Sequence, residues 1–396
     1  ANIARLCETL GHPEERFPSV LIGGTNGKGS VTAMVETALR TAGHRTGRYT
    51  SPHLLRLEER FVISGVEATP AALDAAAARV QRAALDLVAS GTLESLPTFF
   101  ECTTAVAFEL FREARVEIAV LEVGLGGRLD ATNIVSPVVA AIVSIDIDHE
   151  AQLGSTIPSI AAEKAGIVKP GIPVVCGRMP REALDVIRAV CTERGATLIR
   201  ADEDRALAAR LAAMPLSLAG EHQRANAAVA VTLLEVLDAK ASVGIHVDAD
   251  AIRAGLTSTV WPGRLERFTR GSCRLLLDAA HNPAGARALA EYLRSTEPQG
   301  VTLVFGAMKD KAISEMLSAL ASAARTIVCT TAPSPRAASA MDVAAMAERL
   351  GLQARPIADP FAAIDHACSL GSPVVVAGSI FLIGPVREWL ARDILR

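Results

Sequence analysis

The chain has 396 residues, half of them hydrophobic and 21% charged, with a formal net charge of -3. That length exceeds one ordinary core and calls for roughly two or three domains of about 150 residues each, while the apolar content excludes a disordered chain. The charge gives no electrostatic case for nucleic acid or an anionic membrane as partner, and the longest apolar runs, "VVAAIVSI" and "VVVAGSIFLIGPV", fall short of the roughly 20 residues of a membrane span.

In chain order, "SVLIGG" (Ser19–Gly24) is an apolar run ending in glycine, and "VTAMVETALRTAG" after Ser30 has helical spacing closed by Gly43. Together they read as strand, loop and helix. The loop is "GTNGKGS" (Gly24–Ser30). It resembles a phosphate loop but departs from G-x-x-x-x-G-K-[ST]: its glycines are closer together, and the hydroxyl comes one place late, at Ser30. Small residues there let backbone N–H groups converge on phosphate oxygens, and the following helix adds its partial positive charge. Lys28 would neutralise phosphate charge and Ser30 would reach a Mg²⁺. A glycine-rich turn with an incidental lysine explains the same residues about equally well.

The next strand, Arg45–Tyr49, leads to Ser51 in "TSPHL", which by itself reads as a turn residue before Pro52. A helix follows from Thr69, a capping residue, with Pro70 at its first position, and a second covers "TTAVAFELFREA" (Thr103–Ala114). "VEIAVLEVGLGG" is a buried strand ending at Glu122, a carboxylate that needs an arginine or a cation as partner. "VVAAIVSID" ends the next strand before Asp146, Asp148 and His149, and a short helical stretch carries Lys164. Lone histidines and lysines in such places are usually satisfied hydrogen-bonders or solvated charges. What weakens those readings jointly is that all these residues follow strand ends of one sheet, where ligands sit.

Around "TSTVWPGRLERF" the helical text stops at Pro262–Gly263, and a new β/α series runs through "CRLLLDAAHNP", "VTLVFGAMKD", "TIVCTTAPSPR" and "PVVVAGSIFLIG". The expected fold is α/β: a mostly parallel, doubly wound N-terminal domain with a P-loop (1–260), a linker (261–265), and a smaller Rossmann-like C-terminal domain (266–396). Seven scattered cysteines without a C-x-x-C pair fit a reducing cytosol better than a disulfide scaffold or zinc site. No signal peptide is visible, and a start at Ala1 without an initiator Met points to a missing N-terminal piece.

Taken in order, "GTNGKGS", "TSPHL", "TFFE", "LEVGLGGRLDATN", "DHEAQLGSTIPSIAAEKAGIVKPG", "GEHQRANAAVA", "PGRLE", "DAAHNP", "GAMKDK" and "GSIFLIGPVR" resemble the folylpolyglutamate synthase/dihydrofolate synthase family of Mur-type ATP-dependent amide ligases, over nearly the whole chain. The cell-wall Mur ligases place a hydroxyl directly after the loop lysine. The folate branch places glycine and then Ser or Thr, as Gly29 and Ser30 do here.

The resemblance implies an ATP-dependent ligase that forms a γ-glutamyl amide between a folate and L-glutamate through an acyl phosphate. It implies ATP contacts at Asn26, Gly27, Lys28, Gly29, Ser30, Asn226, Arg264 and Asp278. It implies two Mg²⁺ sites, one from Ser51 and Glu122 with Ser30 nearby, the other from Glu122 and His149 with a carbamylated Lys164. A monovalent cation is a further expectation. Thr98, Phe99, Phe100 and Glu101, with Leu129, Asp130 and Ala131, resemble the folate-contacting segments. His281 is a further active-site candidate, although Asn282–Pro283 also reads as a turn. In members with dihydrofolate synthase activity an N-terminal segment helps bind dihydropteroate. Here only residues 1–18 precede the first strand. A cytoplasmic monomer, without nucleic acid or membrane as partner, is expected.

Overall fold

The computed structural model describes residues 2–371 and 373–394. The chain divides into two compact units, one made of Ala1–Ser217 and His222–Val260, the other of Leu218–Glu221 and Trp261–Arg396.

The first unit is built on an eight-stranded sheet. Its strands are β1 (Ser19–Gly23), β2 (Thr46–Tyr49), β3 (Phe61–Ile63), β4 (Val66–Glu67), β5 (Ile118–Glu122), β6 (Val139–Ile142), β7 (Val174–Cys176) and β8 (Leu198–Arg200). They lie in the order β4-β3-β2-β5-β1-β6-β7-β8. The pairings from β2 to β8 across this order are parallel, and at the other edge β3 pairs antiparallel with both β2 and β4. Every residue of β1, β5 and β6 is buried, which is why these strands read as continuous apolar runs without alternation. The chain passes from β5 to β6 across β1, so β1 ends between two strands reached from opposite directions. Open α/β sheets hold their ligands at such a switch point.

The helix after the loop spans Lys28–Thr41, so it begins at the lysine itself. The helix expected from Thr103 starts earlier, at Phe99. Thr98 caps it by accepting from the Glu101 N–H, while the Glu101 carboxylate accepts from the Thr98 N–H. This reciprocal capping box satisfies two otherwise orphaned donors.

The second unit holds a six-stranded sheet of β9 (Glu266–Arg270), β10 (Cys273–Leu277), β11 (Val301–Phe305), β12 (Ala324–Cys329), β13 (Ala354–Pro356) and β14 (Val374–Ala377), in the order β13-β12-β11-β14-β10-β9. It is parallel except for β9, an antiparallel edge strand. The mostly parallel α/β architecture expected from the sequence is therefore present in both units. Among the described residues no helix is long and apolar enough to cross a membrane.

One expectation needs correction. The cysteine pattern argued against disulfides, yet Cys273, at the start of β10, is bonded to Cys368 in the helix Pro360–Ser369. Their Cα atoms are 5.6 Å apart although 95 positions separate them in the chain, so no local spacing could have announced the pair. Cys7, Cys102, Cys176, Cys191 and Cys329 remain free thiols. Alkylation of the denatured protein without reductant should therefore label five cysteines by mass spectrometry, and seven after reduction. Seven labels in both samples would remove the disulfide.

Candidate active site

The loop after β1 is braced by the neighbouring strand β6. The Thr25 N–H donates to the Ser144 carbonyl (2.8 Å), the Asn26 N–H donates to Ser144 Oγ (3.0 Å), and Ser144 Oγ donates back to the Asn26 carbonyl (3.0 Å). Thr25 Oγ1 likewise bridges the backbone of Asp146. Two glycines make this possible. Gly24 has φ +140°, and a Cβ there would lie 3.1 Å from the backbone nitrogens of Val143 and Ser144, which cannot yield. Gly27 has φ +83°, and a Cβ would collide with the Asn226 amide, so Asn226 is seated directly against the loop. Such left-handed conformations are open to glycine at little steric cost.

Two lysines converge on the same loop. Lys28 Nζ donates to the carbonyls of Gly24 (3.1 Å) and Thr25 (3.2 Å). Lys164, in the helix Ile157–Ala165, is buried and donates to the Gly24 carbonyl at 2.9 Å. It is neither a solvated charge nor half of a simple ion pair. Burial first, and then the charge of Lys28, lower its pKa to about 7, so a large share of this amine is unprotonated near neutral pH. Gly29 and Ser30 are buried in the first turn of the loop helix.

Glu122 ends β5 in register with Ile22 of β1 and is buried. Its Oε2 accepts from the Ser51 N–H at 3.2 Å. Ser51 Oγ is itself buried and lacks a hydrogen-bond partner, an exception of the kind that a metal ligand explains. The buried carboxylate and the orphaned hydroxyl therefore fit a divalent cation at this strand end. His149 is exposed, adopts φ 54° and precedes the short helix Glu150–Leu153. Its N–H donates to Asp148 Oδ1 (2.9 Å), and its Nε2 lies 3.9 Å from the same oxygen.

Several expected contact residues carry local structural work. Asp130 is buried. Its Oδ2 accepts from the Leu125 N–H and its Oδ1 from Thr132, tying the glycine-rich loop to the turn Ala131–Ile134. Burial nevertheless pushes its pKa up. Ala131 is buried, whereas Leu129 is 78% exposed. The two phenylalanines divide in the same way. Phe100 packs on Gly124, where a Cβ would be 2.5 Å from its ring, and lies 6.0 Å from Tyr49. Phe99 is 62% exposed with the Arg60 guanidinium 5.5 Å from its ring centroid. Glu101 is held by its cap and by the Ile3 N–H.

In the second unit, Asp278 follows β10 and is buried. Its Oδ2 accepts from the Leu265 N–H (3.0 Å) and its Oδ1 from the Ala280 N–H (2.9 Å), so it fixes the turn that carries Arg264. His281 Nδ1 lies 2.9 Å from the Ala279 carbonyl. Asn282 caps the helix Pro283–Thr296 through the Gly285 N–H, as the turn reading of Asn282–Pro283 implies.

Two residues went unnoticed in the sequence. Ser144 braces the loop, and its only signal was a hydroxyl in the apolar text just past β6. Arg60 is buried, donates to His53 Nδ1 at 2.9 Å and covers Phe99. Nothing in its local sequence marks it.

A glycine-rich loop opening a helix, flanked by a strand end bearing a buried carboxylate and by a helix bearing a buried lysine, defines a nucleotide-type site in the first α/β unit. Residues 263–380 match the family model described as Mur ligase, glutamate ligase domain. The chain is 34% identical to the dihydrofolate synthase/folylpolyglutamate synthase of Bacillus subtilis, covering 98% of this chain and 94% of that protein. Its fold superposes with a TM-score of 0.90 on Mycobacterium tuberculosis folylpolyglutamate synthase complexed with ADP and AMPPCP, at 34% identity over 99% of this chain and 95% of that one. A bifunctional folylpolyglutamate synthase/dihydrofolate synthase with Mn, AMPPNP and L-glutamate bound gives 0.84 at 32% identity, covering 98% of this chain and 93% of that one. The chain is thus a Mur-type ligase by class. It belongs to the dihydrofolate synthase/folylpolyglutamate synthase family.

Lys164 makes stability depend on pH in a defined sense. Between its folded pKa of about 7 and its ordinary 10.5, the unfolded chain holds a proton that the folded chain has released. Stability therefore rises with pH through that window and is lowest below it. In metal-free, CO₂-depleted buffer, the Tm of the native chain should climb between about pH 7 and about pH 9, and Lys164→Met should flatten that climb. Parallel profiles for the two proteins would contradict the lowered pKa.

Proposed function

We propose that this chain is an ATP-dependent ligase joining L-glutamate to the γ-carboxylate of a folate. The carboxylate attacks the γ-phosphate of ATP, giving an acyl phosphate and ADP, and the amine of glutamate then displaces phosphate to form the amide. The reading rests on the family to which the chain belongs. The observation that carries it to particular residues is the meeting of Lys28 and Lys164, far apart in sequence, at the Gly24 carbonyl. The first unit then serves as the ATPase domain and the second as the glutamate ligase domain.

In this reading Asn26–Ser30 cradle the phosphates with backbone N–H groups, at the positive end of the Lys28–Thr41 helix. Lys28 exchanges its carbonyl partners for the transferring phosphate, whose developing charge it stabilises. Asn226, Arg264 and Asp278 contribute the remaining nucleotide contacts, with Asp278 acting through the turn it holds. One Mg²⁺ would be held by Ser51 and Glu122 with Ser30 nearby, a second by Glu122, His149 and carbamylated Lys164. These ions supply charge neutralisation for phosphoryl transfer. Support for carbamylation comes from the pKa of Lys164: its unprotonated amine can attack the carbon of CO₂, forming an N–C bond and releasing one proton. The product is an anionic donor in place of a cation. Phe99 and Leu129, exposed as they are, suit the pterin better than Phe100 or Asp130. His281 is a candidate in the second unit, and a monovalent cation is part of the same proposal. We place the chain in the cytoplasm as a monomer.

The acceptor is tested by supplying ATP, Mg²⁺ and labelled L-glutamate with dihydropteroate, tetrahydrofolate or a UDP-muramyl precursor. Label should enter a folate acceptor, and label confined to the muramyl compound would overturn the proposal. Lys164→Ala should lose most turnover and recover part of it with acetate as a diffusible carboxylate. Full activity in that variant would rule out a carbamylated lysine.

A further inference from the structure

Arg60 closes the turn Leu57–Arg60 and leads directly into β3. It is 8% exposed, and an arginine is rarely that buried unless it is paired. Its Nε donates to His53 Nδ1 at 2.9 Å. A guanidinium can only donate, so that imidazole nitrogen accepts and the ring is neutral. Glu59, the adjoining acid, spends its carboxylate on the N–H groups of Leu54, Leu55 and Arg56. Among the described residues no carboxylate pairs with Arg60, and both of its Nη groups lack a protein acceptor.

Where this charge sits says what would meet it. The Arg60 carbonyl accepts from the Thr50 N–H at 3.2 Å, one residue before Ser51, whose N–H donates to Glu122 at the strand end that fits a cation. The guanidinium also covers the ring of Phe99, 5.5 Å from its centroid. An aromatic face stabilises a cation without neutralising it. Neither Nη is among the unpartnered atoms sealed from solvent, so the planar fork can be reached from outside. Its complement is a pair of carboxylate or phosphate oxygens. A nucleotide phosphate fits less well, because the phosphate loop follows β1, and β5 separates that strand from β2, beside which Arg60 lies.

We propose that Arg60 binds the α-carboxylate of the folate's terminal glutamate, the carboxylate that does not react. The inference rests on the folate-ligase reading above. In that reading the γ-carboxylate reaches the cation at Ser51 and Glu122, while the pterin lies toward Phe99. The α-carboxylate branches from the chain between them, a short methylene chain from the reacting group. Arg60 covers the same interval, from the Thr50–Ser51 strand end to Phe99. Dihydropteroate carries only the carboxylate that reacts, so Arg60 favours acceptors that already bear a glutamate.

The test measures steady-state kinetics with tetrahydrofolate and with its α-carboxamide as acceptors. Arg60→Gln should raise KM for tetrahydrofolate at least about tenfold, with the loss in KM rather than kcat because the bound group does not react. KM for ATP and for L-glutamate should change by less than about twofold. The α-carboxamide should show a raised KM with the native protein and lose little more in Arg60→Gln, as a shared contact requires. Arg60→Lys, which keeps the charge without the fork, should fall between. If Arg60→Gln does not fold, the native protein decides: equal KM values for tetrahydrofolate and its α-carboxamide would overturn the proposal. Equal losses for both acceptors, or a loss confined to KM for ATP, would overturn it too and assign Arg60 to packing or to phosphate. Native protein that ligates glutamate to neither acceptor would refute the folate-ligase reading itself, and this inference with it.

Discussion

The carbonyl of Gly24 is the point on which the site depends. β1 ends there between β5 and β6, and the backbone turns away with φ +140° in a space that a side chain would close. The exposed oxygen collects Lys28 from the start of the next helix and Lys164 from a helix well over a hundred residues later. Burial keeps the Lys164 ammonium from water, and the charge of Lys28 on the same acceptor adds to that strain. The result is a lysine poised near neutrality beside the phosphate loop.

Around that point the polar residues sort by whether their demands are met locally. Asp130 and Asp278 accept from backbone N–H groups of nearby turns and hold loops in place, while Glu101 accepts from its own helix cap and from the Ile3 N–H of the first helix. Ser51 Oγ is buried with its demand unmet and shares its strand end with the buried Glu122. A buried hydroxyl left in that condition is better explained by something that binds there than by packing.

Much of the architecture was legible in the sequence because the central strands of a parallel sheet are buried on both faces and must be written as unbroken apolar runs. β1, β6 and β14 follow that rule, β5 follows it up to its terminal Glu122, and β10 and β11 are interrupted by Arg274 and Thr302. Short or edge strands do not. The Phe61–Glu67 hairpin and β9, half-exposed along its length, left no comparable mark. The start of the helix at Phe99 is also written in the sequence, since Thr98 and Glu101 spell a capping box.

The kinds of residue at each strand end, the order in which they come and, with them, the family are all written in the linear chain. Its Gly29 separated the folate branch from the cell-wall ligases without any coordinates. The assembled fold is what buries Lys164 on the Gly24 carbonyl, turns Phe99 outward while Phe100 packs on Gly124, and brings Cys273 to Cys368. These are contacts between segments distant in the chain. Their energies come from burial and from close approach of backbones, quantities that exist only once the sheets have assembled.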